Sequence, residues 1–260
     1  MSRELCRLWN WRTPTGQIKD MACRTMLLKL HRQGIIELPP RQGPSVNHRR
    51  GKSFQPVLHN SSPLHGSLAD LGEVTLAIAD SGEKQQLWRT LLHCYHYLGF
   101  STRVGKNICY LATDDSERPV GAMLFGAAAW KVAGRDAFIG WNAQQRSRNL
   151  DFVVNNMRFL IPPWVRVPHL ASHLLALAAR RLSSDWQHKY GHPVALLETF
   201  VEKDRFRGTC YRAANWIHVG ETAGRTRSDV RHEIEAPVKS VYVYPLRRDF
   251  RRILNRMEKE

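Results

Sequence analysis

Residues 194–227 read VALLETFVEKDRFRGTCYRAANWIHVGETAGRTR, and this stretch decides both fold class and candidate chemistry. It opens as an apolar run, 194–201, of strand length, interrupted by one carboxylate, Glu198. By strand alternation Glu198 shares a face with Leu196 and Phe200. A buried carboxylate without company is costly, so Glu198 is expected to be neutral or paired. Its chemical reading is a general base or a metal ligand. Its architectural reading is an ion pair with one of the nearby arginines. Residues 205–215 then read as a helix carrying Tyr211 and Asn215 among Arg205, Arg207 and Arg212. Residues 217–221 form the next strand, and Arg225 and Arg227 add a second basic patch. A buried acid, a phenol and several guanidiniums in one strand–helix–strand unit suit a polyanion.

The flanking segments extend this grammar. Residues 168–190 form the clearest helix, with Leu170, Leu174, Leu177, Ala178 and Leu182 at helical spacing and Pro168 suited to a first turn. Upstream, 84–97 reads as a helix with Leu87, Leu91 and Tyr95 on one face. Strands at 107–113 and 120–130 flank a turn at 114–119 and form a hairpin. Residues 137–141 read as a short strand, 142–151 as a polar helix, and 157–165 as a strand broken by Pro162-Pro163. Downstream come a strand at 238–245 and a strongly basic terminal helix at 247–260. The order of elements resembles the acetyltransferase fold of the GNAT superfamily. The fold class expected is therefore α/β (α+β), with a GNAT-like mixed-sheet domain at 73–246. That family's acyl-CoA loop presents glycine-rich backbone amides to the pyrophosphate. Here the junction 165–172 reads VRVPHLAS, without glycine and with Pro168 lacking an amide hydrogen. The expectation is a scaffold that does not bind coenzyme A tightly.

The amino-terminal unit, 1–40, reads as a winged helix-turn-helix. Leu5, Leu8 and Trp9 mark a first helix, and Thr13-Pro14-Thr15-Gly16 is turn chemistry. Met21, Thr25, Leu27, Leu28 and Leu30 mark a second helix, which Gly34 ends. Residues 35–38, IIEL, read as the strand of a wing. Lys19, Arg24, Lys29 and Arg32 charge the second helix, as a groove-reading helix requires. The alternative is a helical hairpin that only packs on the main domain. Residues 41–72, rich in Pro, Gly, Ser, Asn and His, read as a linker.

The 260 residues carry a formal charge of +16, which repels itself unless a polyanion meets it. DNA is the partner expected, with counterion release supplying affinity. No apolar run is long enough to span a bilayer and no signal-peptide core opens the chain, so a cytoplasmic protein without a membrane partner is expected. Five cysteines, an odd number without a C-x-x-C pair, argue against a disulfide framework and a cysteine-rich zinc site. Asp151, Asp185, Glu198 and Glu202 stand apart in sequence, so no metal site is assigned. Magnesium is the one cofactor left open.

Several segments together resemble the DruA family of Druantia anti-phage defence, whose relatives also occur with mobile elements and are sometimes labelled transposase-like. They are YHYLG at 95–99, FGAAAW at 125–130, Gly140-Trp141, and Asn155-Asn156 with Arg158-Phe159-Leu160. WVRVPHLAS at 164–172, LETF at 197–200, RGTCYRAANW at 207–216 and Gly224-Arg225 complete the set, and 20–39 is similar to that family's amino-terminal unit. The resemblance implies a DNA-directed role in defence or mobile-element biology, with other defence subunits as partners. It implies no catalytic mechanism.

The residues offer one sharper hypothesis, DNA strand cleavage or transfer. Tyr211 is the candidate nucleophile toward a phosphodiester, with the arginines stabilising transition-state charge. Glu198 is expected in the same cleft, and Asn215 and His169 complete the candidate catalytic set. Asn155 and Asn156 are candidates for further polar contacts. Trp130, Trp141, Trp164 and Trp216 read mostly as core. The alternative is a non-catalytic DNA-binding subunit of a defence complex, and the third reading is a GNAT-type acyltransferase.

Overall fold

The computed structural model describes residues 2–12, 18–39, 54–100, 103, 105–224 and 237–257. It divides into two units, Met1–Phe54 and Gln55–Glu260.

In the first unit, α1 (Ser2–Leu8) and α2 (Asp20–Arg32) pack through Cys6 and Cys23, both wholly buried. Gly34, at φ 71°, stops α2. Its N–H donates to the His31 carbonyl at 3.0 Å, and the Ile35 N–H donates to the Leu30 carbonyl at 3.0 Å. These two bonds satisfy carbonyls that a helix end otherwise leaves open. The two expected helices are present. The expected strand at 35–38 is not: these residues pair with no strand among the described residues, which show no wing. The turn at 13–16 lies outside the described residues.

The second unit runs β1 (Leu64–His65), β2 (Thr75–Ile78), α3 (Gly82–Tyr95), β3 (Asn107–Thr113) and β4 (Pro119–Ala127). It continues with α4 (Ala133–Ile139), α5 (Ala143–Asn149), β5 (Val153–Leu160), β6 (Val165–Arg166) and α6 (Leu170–Tyr190). It closes with β7 (Leu196–Glu202), α7 (Thr209–Ala213), β8 (Ile217–Glu221), β9 (Lys239–Pro245) and α8 (Phe250–Leu254). Seven strands form one mixed sheet in the order β2-β3-β4-β5-β7-β9-β8. Within it the central β5–β7 pair is parallel and the other neighbours are antiparallel. β1 and β6 form a separate parallel pair.

Strand alternation divides the apolar side chains between two faces. Ile108, Tyr110, Phe125 and Leu197 pack against Leu174, Ala178 and Leu182 of α6 and Tyr211 of α7. On the other face, Cys109 and Leu111 meet Trp88, Leu91 and Leu92 of α3. Further along that face, Val153, Leu196 and Val243 meet Ile139 of α4 and Phe250 and Leu254 of α8.

Four expectations change. The segment expected as a linker is in part ordered body, since residues 55–72 hold buried Leu64 and Leu71. The Leu64 N–H donates to the Trp164 carbonyl at 2.9 Å, and His59 packs on Trp164 at 5.4 Å. Main-chain bonds and two leucines hold a segment whose composition reads as loop. Residues 137–141, expected as strand, lie on and just after helix α4, where Val132, Arg135 and Ile139 are buried at helical spacing. The helix expected at 205–215 shrinks to α7, because Gly208 sits at φ 66° and leaves Arg205 and Arg207 in the preceding loop. The terminal basic helix is the short α8, held by Phe250 and Leu254.

Candidate functional site

The central parallel pair opens a cleft. β5 and β7 are paired only at Val153–Leu196, Val154–Leu197 and Asn155–Glu198. Against β4 the register of β5 shifts: Phe125 faces Asn156 and Leu124 faces Arg158, leaving Met157 as the extra residue of a bulge. Past the last pair, the Thr199 hydroxyl donates to the Asn156 carbonyl at 3.1 Å, where a ladder bond would otherwise continue. A cavity of about 470 Å³ occupies this region, lined by β5, β7, residues 96–98 and residues 206–211. It lies at the carboxyl ends of two parallel strands, the usual ligand position in α/β sheets.

The cavity carries positive charge. Arg158, Arg207 and Lys239 line it, and no carboxylate among the described residues does. Arg158 is half-buried, which lowers its pKa, and it donates to the Met157 carbonyl at 2.8 Å. Burial, and then the Arg158 charge, hold the His96 imidazole down to about 4, so it is neutral at pH 7. Tyr97 is an aromatic hub at this site. Its ring stacks with His96 at 4.8 Å, meets Phe206 edge-on at 5.1 Å, and lies under the Arg205 guanidinium at 4.9 Å. Asn155 also lines the cavity, and its buried Oδ1 has no hydrogen-bond partner among the described residues.

Tyr211 lines the cavity but is held from within. Its hydroxyl donates to Asn156 Oδ1 at 2.7 Å and lies 3.4 Å from the Thr199 hydroxyl. Phe159, Trp216 and Tyr242 surround the ring. Burial drives its pKa well above that of an ordinary phenol, which opposes the phenolate a nucleophile needs.

Glu198 does not join it. Thr199 faces Tyr211, so Glu198 faces the opposite side of the sheet. There Glu198 Oε2 accepts from Arg135 at 2.7 Å and Oε1 accepts the Ala129 N–H at 2.7 Å. Both ion-pair partners are wholly buried. Arg135 also binds Asp136 at 2.7 Å, and Asp136 accepts from Trp141 at 2.9 Å and Arg146 at 3.2 Å. Burial pushes the Glu198 carboxyl up, and Arg135 and the Ala129 N–H pull it back. The arginine in question is 63 residues away in sequence, not one of the nearby basic patch.

Asn215 and His169 do not line the cavity. Asn215 sits at φ 61° just past α7, where its N–H donates to the Arg212 carbonyl at 3.0 Å. The Trp216 N–H donates to the Tyr211 carbonyl at 2.9 Å, so Asn215 supplies the left-handed residue that ends the helix. His169, at φ 65°, precedes α6, and its carbonyl accepts from the Ser172 hydroxyl at 2.9 Å. On the first unit Arg24, Lys29 and Arg32 are exposed along α2, and Lys19 is half-buried before it. Arg205, Arg207 and Arg212 are exposed on the second unit. Arg225 and Arg227 lie outside the described residues. Among the described residues no group of three or more His, Cys, Asp or Glu could hold a metal ion. No helix among them is long and apolar enough to cross a membrane.

Tyr97, Arg158, Phe206 and Lys239 line the cleft and are not among the candidates read from sequence. Arg158 carries a signal, a charge set between Met157 and Phe159 in a half-buried strand. Phe206 between two arginines carries another.

Fold and cleft define a mixed α/β protein with a cationic, aromatic-edged cleft at the split of its central parallel strands. The chain belongs to the DruA family of Druantia defence: the family described as "Druantia protein DruA" matches residues 29–235. No curated protein matches. Among solved structures, acetyltransferases are similar in fold. A chimeric spermidine N-acetyltransferase SpeG from Vibrio cholerae and hSSAT shares 10% identity, with 70% of this chain and 99% of that chain covered at TM-score 0.43. The Vibrio cholerae spermidine N-acetyltransferase in complex with CoA and spermine shares 9% identity, covering 65% and 92%, at TM-score 0.41.

Proposed function

We propose that this protein is a DNA-binding component of Druantia defence, and that binding rather than strand cleavage is its own contribution. The observation that carries this reading is the cleft at the β5–β7 split, lined by Arg158, Arg207 and Lys239 and, among the described residues, by no carboxylate. Cations that outnumber carboxylates at a concave site favour phosphate, Glu202 being the acid at the rim, opposite Lys239 and paired with Arg205, and the +16 chain adds long-range attraction for a polyanion. Cleavage loses support on two counts. Tyr211 is buried with its hydroxyl committed to Asn156, and Glu198 is committed to Arg135 on the other face.

The test is anisotropy with labelled single- and double-stranded DNA across a salt series. Affinity is expected to fall steeply with salt, and Arg207→Ala with Lys239→Ala is expected to weaken binding and flatten the slope. No binding at low salt sinks the reading. Magnesium-dependent cleavage of the labelled DNA returns strand cleavage to the front. The acyltransferase reading keeps the strand order and the split parallel pair in its favour. Low-micromolar acetyl-CoA binding by calorimetry would promote it.

A further inference from the structure

We propose that the β5–β7 cleft takes a single unpaired nucleotide of a DNA strand, its base against Phe206, which Tyr97 backs edge-on, and its phosphate on Arg158, Arg207 and Lys239. This rests on the DNA-binding reading above and narrows it to a structure-selective one. Size is the first argument. A cavity of about 470 Å³ falls within the range of small-molecule sites, roughly 300–1,000 Å³. A volume of that order suits one nucleotide rather than a base-paired duplex. DNA that uses this cleft must therefore present a nucleotide out of the stack, as enzymes that act on bases require.

The chemistry of the rim is the second argument. Phe206 is 46% exposed and Tyr97 39% exposed, beside a cleft otherwise marked by cations. Exposed aromatic rings next to arginines are the combination that binds single strands, because every base has a face to stack while the backbone needs positive charge. Arg205 already lies over Tyr97, which sets a guanidinium beside the aromatic pair. A strand rather than a free nucleotide is favoured by what surrounds the mouth. Arg205, Arg207 and Arg212 are exposed along the segment that borders the cavity, where flanking phosphates would lie.

The test uses the full chain and three DNAs carrying 2-aminopurine at one position: in a perfect duplex, in a one-nucleotide bulge, and in a single strand. Bulged and single-stranded DNA are expected to bind about tenfold more tightly than the duplex, in line with the stacking of one base on an aromatic pair. The 2-aminopurine signal is expected to quench saturably in those two alone. Phe206→Ala and Tyr97→Ala, both at exposed positions, are expected to erase that preference. Equal affinity for all three DNAs, with steep salt dependence, overturns the cleft assignment and leaves the DNA-binding reading standing. Absence of any DNA binding removes both. Free dAMP or acetyl-CoA that displaces the bulged probe at micromolar concentration, while the probe itself binds no tighter than the duplex, marks a small-molecule site and also overturns it.

Discussion

Glu198 has no exposed surface, so its carboxylate depends on company. Arg135 and the Ala129 N–H supply it, and Arg135 in turn needs Asp136 and the Ala129 carbonyl. The network ties β7 to α4 and to the loop before it, which makes Glu198 an architectural residue. Removing one partner of such a pair leaves the other buried and uncompensated, at a cost of about 3–5 kcal/mol. Glu198→Ala is therefore expected to lose stability of that order in urea unfolding, and Glu198→Gln to lose less because one acceptor oxygen remains. A loss below about 1 kcal/mol, the size of a surface pair, would show that the pair does not hold this face together. DNA affinity of a folded Glu198→Gln protein should stay near that of the parent, since Glu198 does not line the cleft.

At the level of elements, the site is made by a strand pair that stops pairing and by a loop that must turn sharply into α7. Gly208 makes that turn at φ 66°, and a Cβ there would stand 2.5 Å from the Tyr242 hydroxyl. Gly208→Ala meets both a left-handed backbone and a clash, and a loss of roughly 1–3 kcal/mol is expected. Because Arg207 precedes Gly208, DNA affinity should fall with it. A variant as stable as the parent would mean the loop has room to rearrange. Much of this level is legible in the sequence. Strands 107–113 and 217–221 are read with the bounds the structure has, since both are bracketed by turn or polar residues. Helix α4 reads as a strand because Ala137 to Trp141 is short and apolar; only the buried Arg135 and Val132, one turn earlier, show the helical period. Tyr211, Arg207 and Asn155 are legible as members of a polar, basic cleft. The Glu198–Arg135 pair is not, because nothing local links residues 63 apart. Nor is the role of Tyr97, which the fold brings to Phe206 from beyond α3.

For the whole molecule, charge and division into units set what can be separated. The second unit holds its sheet, both layers of helices and the cleft within Gln55–Glu260. Deleting residues 1–54 is therefore expected to leave a folded protein with a cooperative melt. Deleting residues 1–66 is expected to destabilise it, because that removes Leu64, its bond to Trp164 and the β1–β6 pair. The first unit presents exposed Arg24, Lys29 and Arg32 along α2. If these meet phosphates, removing residues 1–54 lowers duplex affinity, and the slope of log K against log salt shrinks by about 0.9 for each phosphate no longer neutralised. The single-strand or bulge preference should survive the deletion, since Tyr97, Arg158, Phe206 and Lys239 all remain. Anisotropy on the two proteins across one salt series separates the contributions: an unchanged slope assigns the phosphate binding to residues 55–260 and ends the role of α2 as a helix that touches DNA.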